Sequence, residues 1–406
     1  MPIEKSLVAA FAALVTAIGI AGGAAAQAPA ANSDGCVDTV QAGVDYFPDK
    51  ATVTYAENFT VDYFDTYKVV TVVQPFPGGA PETYVLVQCG TPEPELGGDL
   101  ADAPVIQIPL PTLFSASATH NPMLDALGLV DRLTGVTSLA YTATASVLER
   151  AAAGHIVEFA PTFETNLELV IDARPAALMT GGGDDPAYGR IRDAGIPVVA
   201  NAEWLEPDIL ARAEWIKYIA LFFNAEADAM DVFDRIDADY AAAAARTADL
   251  PDSARPLVFA GSSFQGVFNA PGGASYSAQA MEAAGARYVF ADNRDTASLS
   301  FADLEVILDR AADAEFWINA AVQYRTLADI EAEEPRLATL PAVQAGQVWN
   351  YDLGGTETGA LPFWELGVLR PDLILLDLLK IFHPELAEDH AFVFYRSIEP
   401  VAAATP

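Results

Sequence analysis

Residues 176–200 read AALMTGGGDDPAYGRIRDAGIPVVA, and this stretch decides the fold. Ala176–Met179 is a short apolar run that stops at Gly181-Gly182-Gly183, as a buried strand running into a tight turn does. Ala187–Ala194 follows with helical composition and is ended by Gly195. Pro197–Ala200 is a second short apolar run. Strand–helix–strand units of this length call for a parallel sheet covered by helices.

The same rhythm extends in both directions. Upstream, 105–108 and 133–136 read as strands, and 123–127 and 166–173 as helices. Downstream, 257–260, 288–290, 316–318 and 348–351 read as strands, 277–284 as a helix, and 366–382 as a long apolar helix interrupted at Arg370-Pro371. Between the two series lie two helical stretches, 208–223 and 225–246. In the first, Ile209, Ala213, Ile216, Ala220 and Phe223 share a face. The second would be about 33 Å long at helical rise, a stiff connector that ends at Pro251–Pro256. The predicted architecture is α/β, with two lobes joined by one long rigid helix.

Ahead of the lobes, 51–55, 59–63, 67–73 and 83–88 are rich in β-branched and aromatic residues and predict a small antiparallel unit. Residues 91–98 have linker composition. The predicted divisions are a leader over 1–26, an N-terminal β-rich extension and linker over 27–100, a first lobe over 101–224, a connecting helix over 225–250 and a second lobe over 251–398.

Composition narrows the function. The chain has 406 residues, 52% of them hydrophobic, enough for more than one core. A net charge of -35 repels the phosphates of nucleic acid and anionic lipid headgroups. It fits either a heavily solvated acidic surface or attraction of cationic ligands. Lys5, the apolar run Leu7–Ile20 and Ala24-Ala25-Ala26 have the form of a cleavable export signal, and no later run is long enough to span a membrane. Cys36 and Cys89 in an exported chain suggest one disulfide, with two buried thiols as the alternative.

Motifs for chemistry are sparse. Gly181-Gly182-Gly183 lacks the phosphate-loop ending, and neither a nucleophile elbow nor a zinc-protease motif is present. The histidines, at 120, 155, 383 and 390, show no paired spacing, so no bare metal site and no cofactor is expected. His383 fits a structural cap beyond a helix.

In order and spacing, several segments carry a resemblance. Thr119–Gly128 with Asp131–Val136, Asn166–Val170 with Ala173-Arg174-Pro175, Arg212–Lys217, Pro271–Tyr276 and Arg370–Asp372 with Phe382-His383-Pro384 are similar to segments of one family. The chain resembles, over about 105–396, the periplasmic binding proteins of iron-chelate and cobalamin importers. Ala176 replaces an aspartate usual there. The resemblance implies two Rossmann-like lobes, a periplasmic monomer, a metal-chelate ligand such as a ferric siderophore, and an ABC importer permease as partner. It also implies that Glu168 and Glu305, one per lobe, dock on permease arginines.

Open α/β sheets bind ligands beyond the carboxyl ends of their strands. Loops in those places supply the candidate ligand-binding residues His120, Tyr141, Trp204, Phe264, Tyr276, Arg294, Tyr324, Arg325, Trp349 and Tyr351. Rings there suit a large, partly apolar chelate, and the arginines an anionic one. Cobalamin or haem is the alternative ligand. The rival of another class is a secreted hydrolase using Ser262 or Ser263.

Overall fold

The computed structural model describes residues 29–398; the leader expected over 1–26 lies outside them. The first sheet comprises β1 (Phe59–Tyr63), β2 (Tyr67–Val72), β3 (Glu82–Gln88) and β4 (Val105–Ile108), in that order. The first three pair antiparallel, and β4 joins β3 in parallel. Residues 105–108 were expected to open the first lobe; their N–H and C=O groups are instead used by β3. Residues 51–55 form no strand. The last two of them and the next residue donate to a carboxylate: Thr54 N to Glu214 Oε1, and Tyr55 N and Ala56 N to Glu214 Oε2, at 2.7–2.8 Å. Cys36 and Cys89 form a disulfide that ties the start of the described chain to the end of β3.

The first lobe is built on β5 (Leu113–Ser115), β6 (Leu133–Val136), β7 (Val157–Glu158), β8 (Ala177–Met179) and β9 (Val198–Val199). All pairs are parallel and the spatial order is β7-β6-β5-β8-β9, a Rossmann-like order. The crossovers are α1 (His120–Ala126), α2 (Ala145–Ala152), α3 (Leu167–Ala173) and α4 (Pro186–Asp193). Side chains cap two of them: Asn166 accepts from Leu169 N, and Asp185 from Ala187 N.

Two helices follow, α5 (Ile209–Leu221) and α6 (Glu226–Ala244). A single apolar face was predicted for α5, yet every residue of it is buried. The first sheet covers its polar side. Phe59 packs edge-on against Trp215 and Tyr218, with centroids 5.0 and 5.4 Å away. Burying such a ring is worth roughly 1.5–3 kcal/mol. The buried charges of α5 and the α5–α6 elbow are answered from the same extension. Lys217 Nζ bonds Glu214 Oε1 and Thr52 O, and Lys68 Nζ bonds Leu221 O and Asn224 Oδ1 and pairs with Glu226. One hydrophobic cluster therefore runs from Phe47 and Val70 through Leu113 to Trp215 and Phe233. The extension is part of the first lobe's core.

The second lobe has β10 (Leu257–Ala260), the hairpin β11 (Ser262–Phe264) and β12 (Val267–Ala270), α7 (Tyr276–Ala283), β13 (Arg287–Tyr288), β14 (Leu299–Phe301), α8 (Glu305–Arg310), β15 (Phe316–Ile318), α9 (Leu327–Glu333), α10 (Pro341–Gln344), β16 (Val348–Asn350), α11 (Pro362–Leu369), α12 (Pro371–Phe382) and β17 (Arg396–Ser397). Its main sheet runs β13-β10-β15-β16-β17 and is parallel except for β17; β11, β12 and β14 form a separate antiparallel flap. Among the described residues no strand crosses between the lobes. Helix α6, about 28 Å long, packs on α5 on one side and α12 on the other. The break predicted at Arg370-Pro371 separates α11 from α12. Helix α11 also leans on the first lobe, placing Val368 and Leu369 in that lobe's cluster.

Candidate functional site

In each main sheet the connections diverge at one point, between β5 and β8 in the first lobe and between β10 and β15 in the second. Loops splay apart there and leave a crevice at the strands' carboxyl ends. Buried Ser115 ends β5, its Oγ 2.8 Å from His120 Nδ1. After β8, Gly182 adopts φ +72°, and a Cβ on it would lie 2.3 Å from Trp204 Nε1. Only glycine lets the indole settle on this loop, where Nε1 donates to Gly181 O at 3.2 Å.

The lobes meet along this line. Buried Glu365 of α11 accepts from Asn121 Nδ2, from Thr144 Oγ1 and from the backbone N–H groups of Ala143 and Thr144. Thr358 Oγ1 donates to Ala140 O at 2.8 Å, and Gln279 Nε2 to Pro207 O at 3.0 Å. Between these contacts lies a crevice lined by Ile209, Arg212, Tyr276, Phe363, Trp364 and Ile374, with a void of about 10 Å³. The Arg212 guanidinium lies 4.4 Å from the centre of the Tyr276 ring across it.

The predicted ligand-binding residues divide into three groups. Tyr276 and Tyr351 reach this region; the Tyr351 ring is 4.8 Å from Phe363 and 5.4 Å from Trp364. Tyr141, Trp204 and Phe264 are exposed, Phe264 at the end of β11. The remainder are placed elsewhere. His120 and Tyr324 are fully buried beneath the loops. Arg325 pairs with Asp352 at 2.9 Å, beside Arg396 on the same carboxylate. Trp349 packs on Phe392 at 5.2 Å. Arg294 lines a separate hollow of about 660 Å³ with Arg255, Arg287 and Tyr288. Glu168, in the first turn of α3, and Glu305, the first residue of α8, are both exposed. Arg336 Nη1 lies 3.6 Å from Glu305.

Sequence reading missed Phe163, Arg212, Phe363, Trp364 and Glu365. Phe163 is 76% exposed at φ +64°, with its ring 5.3 Å from Tyr141. Arg212 had a signal, a charge inside an otherwise apolar helix start.

Beneath the rim sits a polar group with little satisfaction. Burial pushes the His120 imidazole down to about 3, so the ring is neutral. Burial raises the Glu203 carboxyl above its usual range, opposed by the nearby Arg212 charge. His120 Nε2, Glu203 Oε2 and Arg212 Nε are buried and have no hydrogen-bond partner among the described residues. No cluster of three or more His, Cys, Asp and Glu side chains converges as a metal site among those residues. His383 and His390 are engaged structurally, with Gly285 O at 3.3 Å and Asp377 Oδ1 at 2.6 Å.

The profile of the periplasmic binding proteins matches residues 115–353, more than half of the chain. The chain belongs to the periplasmic binding protein family. An uncharacterized lipoprotein of Methanocaldococcus jannaschii is 26% identical over 303 residues, covering 72% of this chain and 70% of the relative. A periplasmic binding protein from Veillonella parvula superposes with a TM-score of 0.54 at 15% identity, over 80% of this chain and 98% of its own. The periplasmic heme binding protein of Vibrio cholerae gives 0.53 at 16% identity, over 67% and 99%. These two likenesses are of fold. The β-rich extension precedes the region that the family profile matches in this periplasmic binding protein. Its Cys36, being disulfide-bonded, has no thiol to offer a lipid. Among the described residues no helix is long and apolar enough to cross a membrane.

Proposed function

We propose that this protein is the extracytoplasmic receptor of an ABC importer, capturing a metal chelate between its lobes, with a ferric siderophore as the best candidate. One observation carries the reading. Apart from Phe64, the large exposed aromatic side chains among the described residues are Tyr141, Phe163, Trp204, Phe264 and Trp364; Trp364 lines the interlobe crevice, and Tyr141, beside Phe163, lies against Gly359 of the second lobe. Exposed rings gathered at one concave place mark a binding surface. Their flat faces suit an object with a hydrophobic rim, such as a chelate whose organic arms surround the metal.

Glu168 and Glu305, at the start of one helix in each lobe, are the proposed permease contacts. A protein that holds its lobes at a set spacing presents both carboxylates together, which lets arginines read the loaded state.

Titration of the purified protein with ferric hydroxamate, ferric catecholate, haem and cobalamin, followed by tryptophan fluorescence, tests the ligand. Trp364 lines the crevice, so submicromolar quenching by a ferric chelate is expected, reduced at least tenfold in Trp364→Ala. Saturable binding of haem or cobalamin alone makes the ligand a tetrapyrrole. Hydrolytic turnover lost in Ser262→Ala would instead support an enzyme.

A further inference from the structure

We propose that Arg212 is the seat for an anionic oxygen of the ligand, so that this receptor selects negatively charged chelates over neutral ones. The inference rests on the chelate-receptor reading and goes on to name the ligand's charge.

Arg212 is only 7% exposed. A guanidinium keeps its charge at any physiological pH and presents its donors in a fixed fork. Buried charges in folded proteins are paired or hydrogen-bonded, because an unpaired one forfeits its hydration. Elsewhere this protein obeys that rule closely. Lys68 pairs with Glu226, Lys217 with Glu214, Arg370 with Asp372, and Arg396 with Asp352. Arg212 departs from it. Among the described residues its side chain makes no salt bridge, and its Nε has no hydrogen-bond partner.

The surroundings fix the guanidinium without neutralising it. The Tyr276 ring from the other lobe lies against it at 4.4 Å, an arrangement that orients the plane and leaves the N–H edge open. Asp208 is committed to capping α5, its Oδ1 accepting from Leu210 N and Ala211 N. Glu203 acts on Arg212 through space, yet its own Oε2 is also unpartnered. Burial raises the Glu203 carboxyl above its usual range, with the Arg212 charge opposing.

The void beside Arg212 is about 10 Å³, room for roughly one oxygen-sized group. It lies among Ile209, Phe363, Trp364 and Ile374, where little water competes and a charge-assisted hydrogen bond is strong. The overall charge of -35 repels anions at long range. A local cation at the crevice floor therefore decides the sign of what is held, while the aromatic rim accepts chelates of either kind.

The test compares a trianionic ferric tris-catecholate with an uncharged ferric tris-hydroxamate of similar size, titrated into the full mature protein by fluorescence. Wild type should bind the anionic complex at least tenfold more tightly. Arg212→Gln should lower that affinity by about a hundredfold and change the neutral complex less than threefold; Arg212→Lys should recover part of the loss. Thermal unfolding checks that each variant is folded. Equal losses for both complexes, or none, would show that Arg212 only packs against Tyr276. Should Arg212→Gln fail to fold, wild-type preference for the neutral complex would by itself overturn the proposal. If wild type binds neither complex, the chelate reading falls as well.

Discussion

Glu365 of α11 and Thr144 at the start of α2 join the two lobes, with Thr144 Oγ1 donating to Glu365 Oε1 at 2.7 Å. The same carboxylate collects the Asn121 amide and two backbone N–H groups, so a single buried side chain ties the second lobe to two helix starts of the first. Glu365→Ala leaves those donors buried and unmatched. A loss of about 2–4 kcal/mol in urea unfolding is expected. Small-angle scattering of the variant should also show a more open particle. A cost under about 1 kcal/mol with unchanged scattering would mean that packing of α11 alone sets the lobe spacing.

Glu214 binds the extension to the first lobe through three consecutive N–H groups and the Lys217 ammonium. Removing it leaves Lys217 buried with one carbonyl partner. Glu214→Ala should cost about 3–5 kcal/mol. Residues 50–58 should become the first site cut by protease. If the extension stays protected, the apolar contacts of Phe59 hold it without the carboxylate.

His120 makes stability depend on pH. The unfolded chain takes up a proton on this imidazole near pH 6.5, whereas the folded chain resists until about pH 3. The unfolded state thus binds more protons in that window. The contribution is complete above pH 6.5 and is lost as pH falls toward 3, at up to ~1.4 kcal/mol per unit. In His120→Asn the slope of stability between pH 6 and 4 should be shallower by up to one proton. Imidazole signals of His120 that titrate between pH 5 and 8 would refute the burial argument.

The proposed docking role of Glu168 and Glu305 predicts a separation of binding from delivery. Each is exposed and away from the crevice-lining residues. Glu168→Ala and Glu305→Ala should leave chelate affinity within twofold and reduce uptake by cells at least tenfold, more in the double variant. Uptake at the wild-type rate in the double variant would place the docking surface elsewhere.

Much of this fold was legible because its signals are local. Ala176–Ala200 folds as its own pattern dictates, and the glycine and proline stops at Gly195 and Pro371 fall where the structure has them. What escaped reading is tertiary. Residues 51–55 have strand composition, but Thr54 and Tyr55 donate to Glu214, about 160 positions away. Val105–Ile108 has the composition of a lobe strand, and only its pairing with β3 assigns it to the extension. Loop position did anticipate that Tyr276 and Tyr351 lie at the crevice. It could not tell that His120 and Tyr324 turn inward, since burial of a side chain depends on what lies above it. Arg212 and Glu365 were invisible as site residues because each matters through contact with the opposite lobe.

The elbow locked by Lys68 has a bearing on how the polypeptide is made. Lys68 leaves the ribosome long before its acceptors, with Leu221 and Asn224 following 153 and 156 positions later. Until they arrive, an ammonium group and the apolar faces of β2 and β3 have no place to settle. Contacts of such long range slow folding. The N-terminal third therefore completes its packing only after α5 and the elbow beyond it have been made, and a chain cut back to its two lobes would lose the other half of that joint.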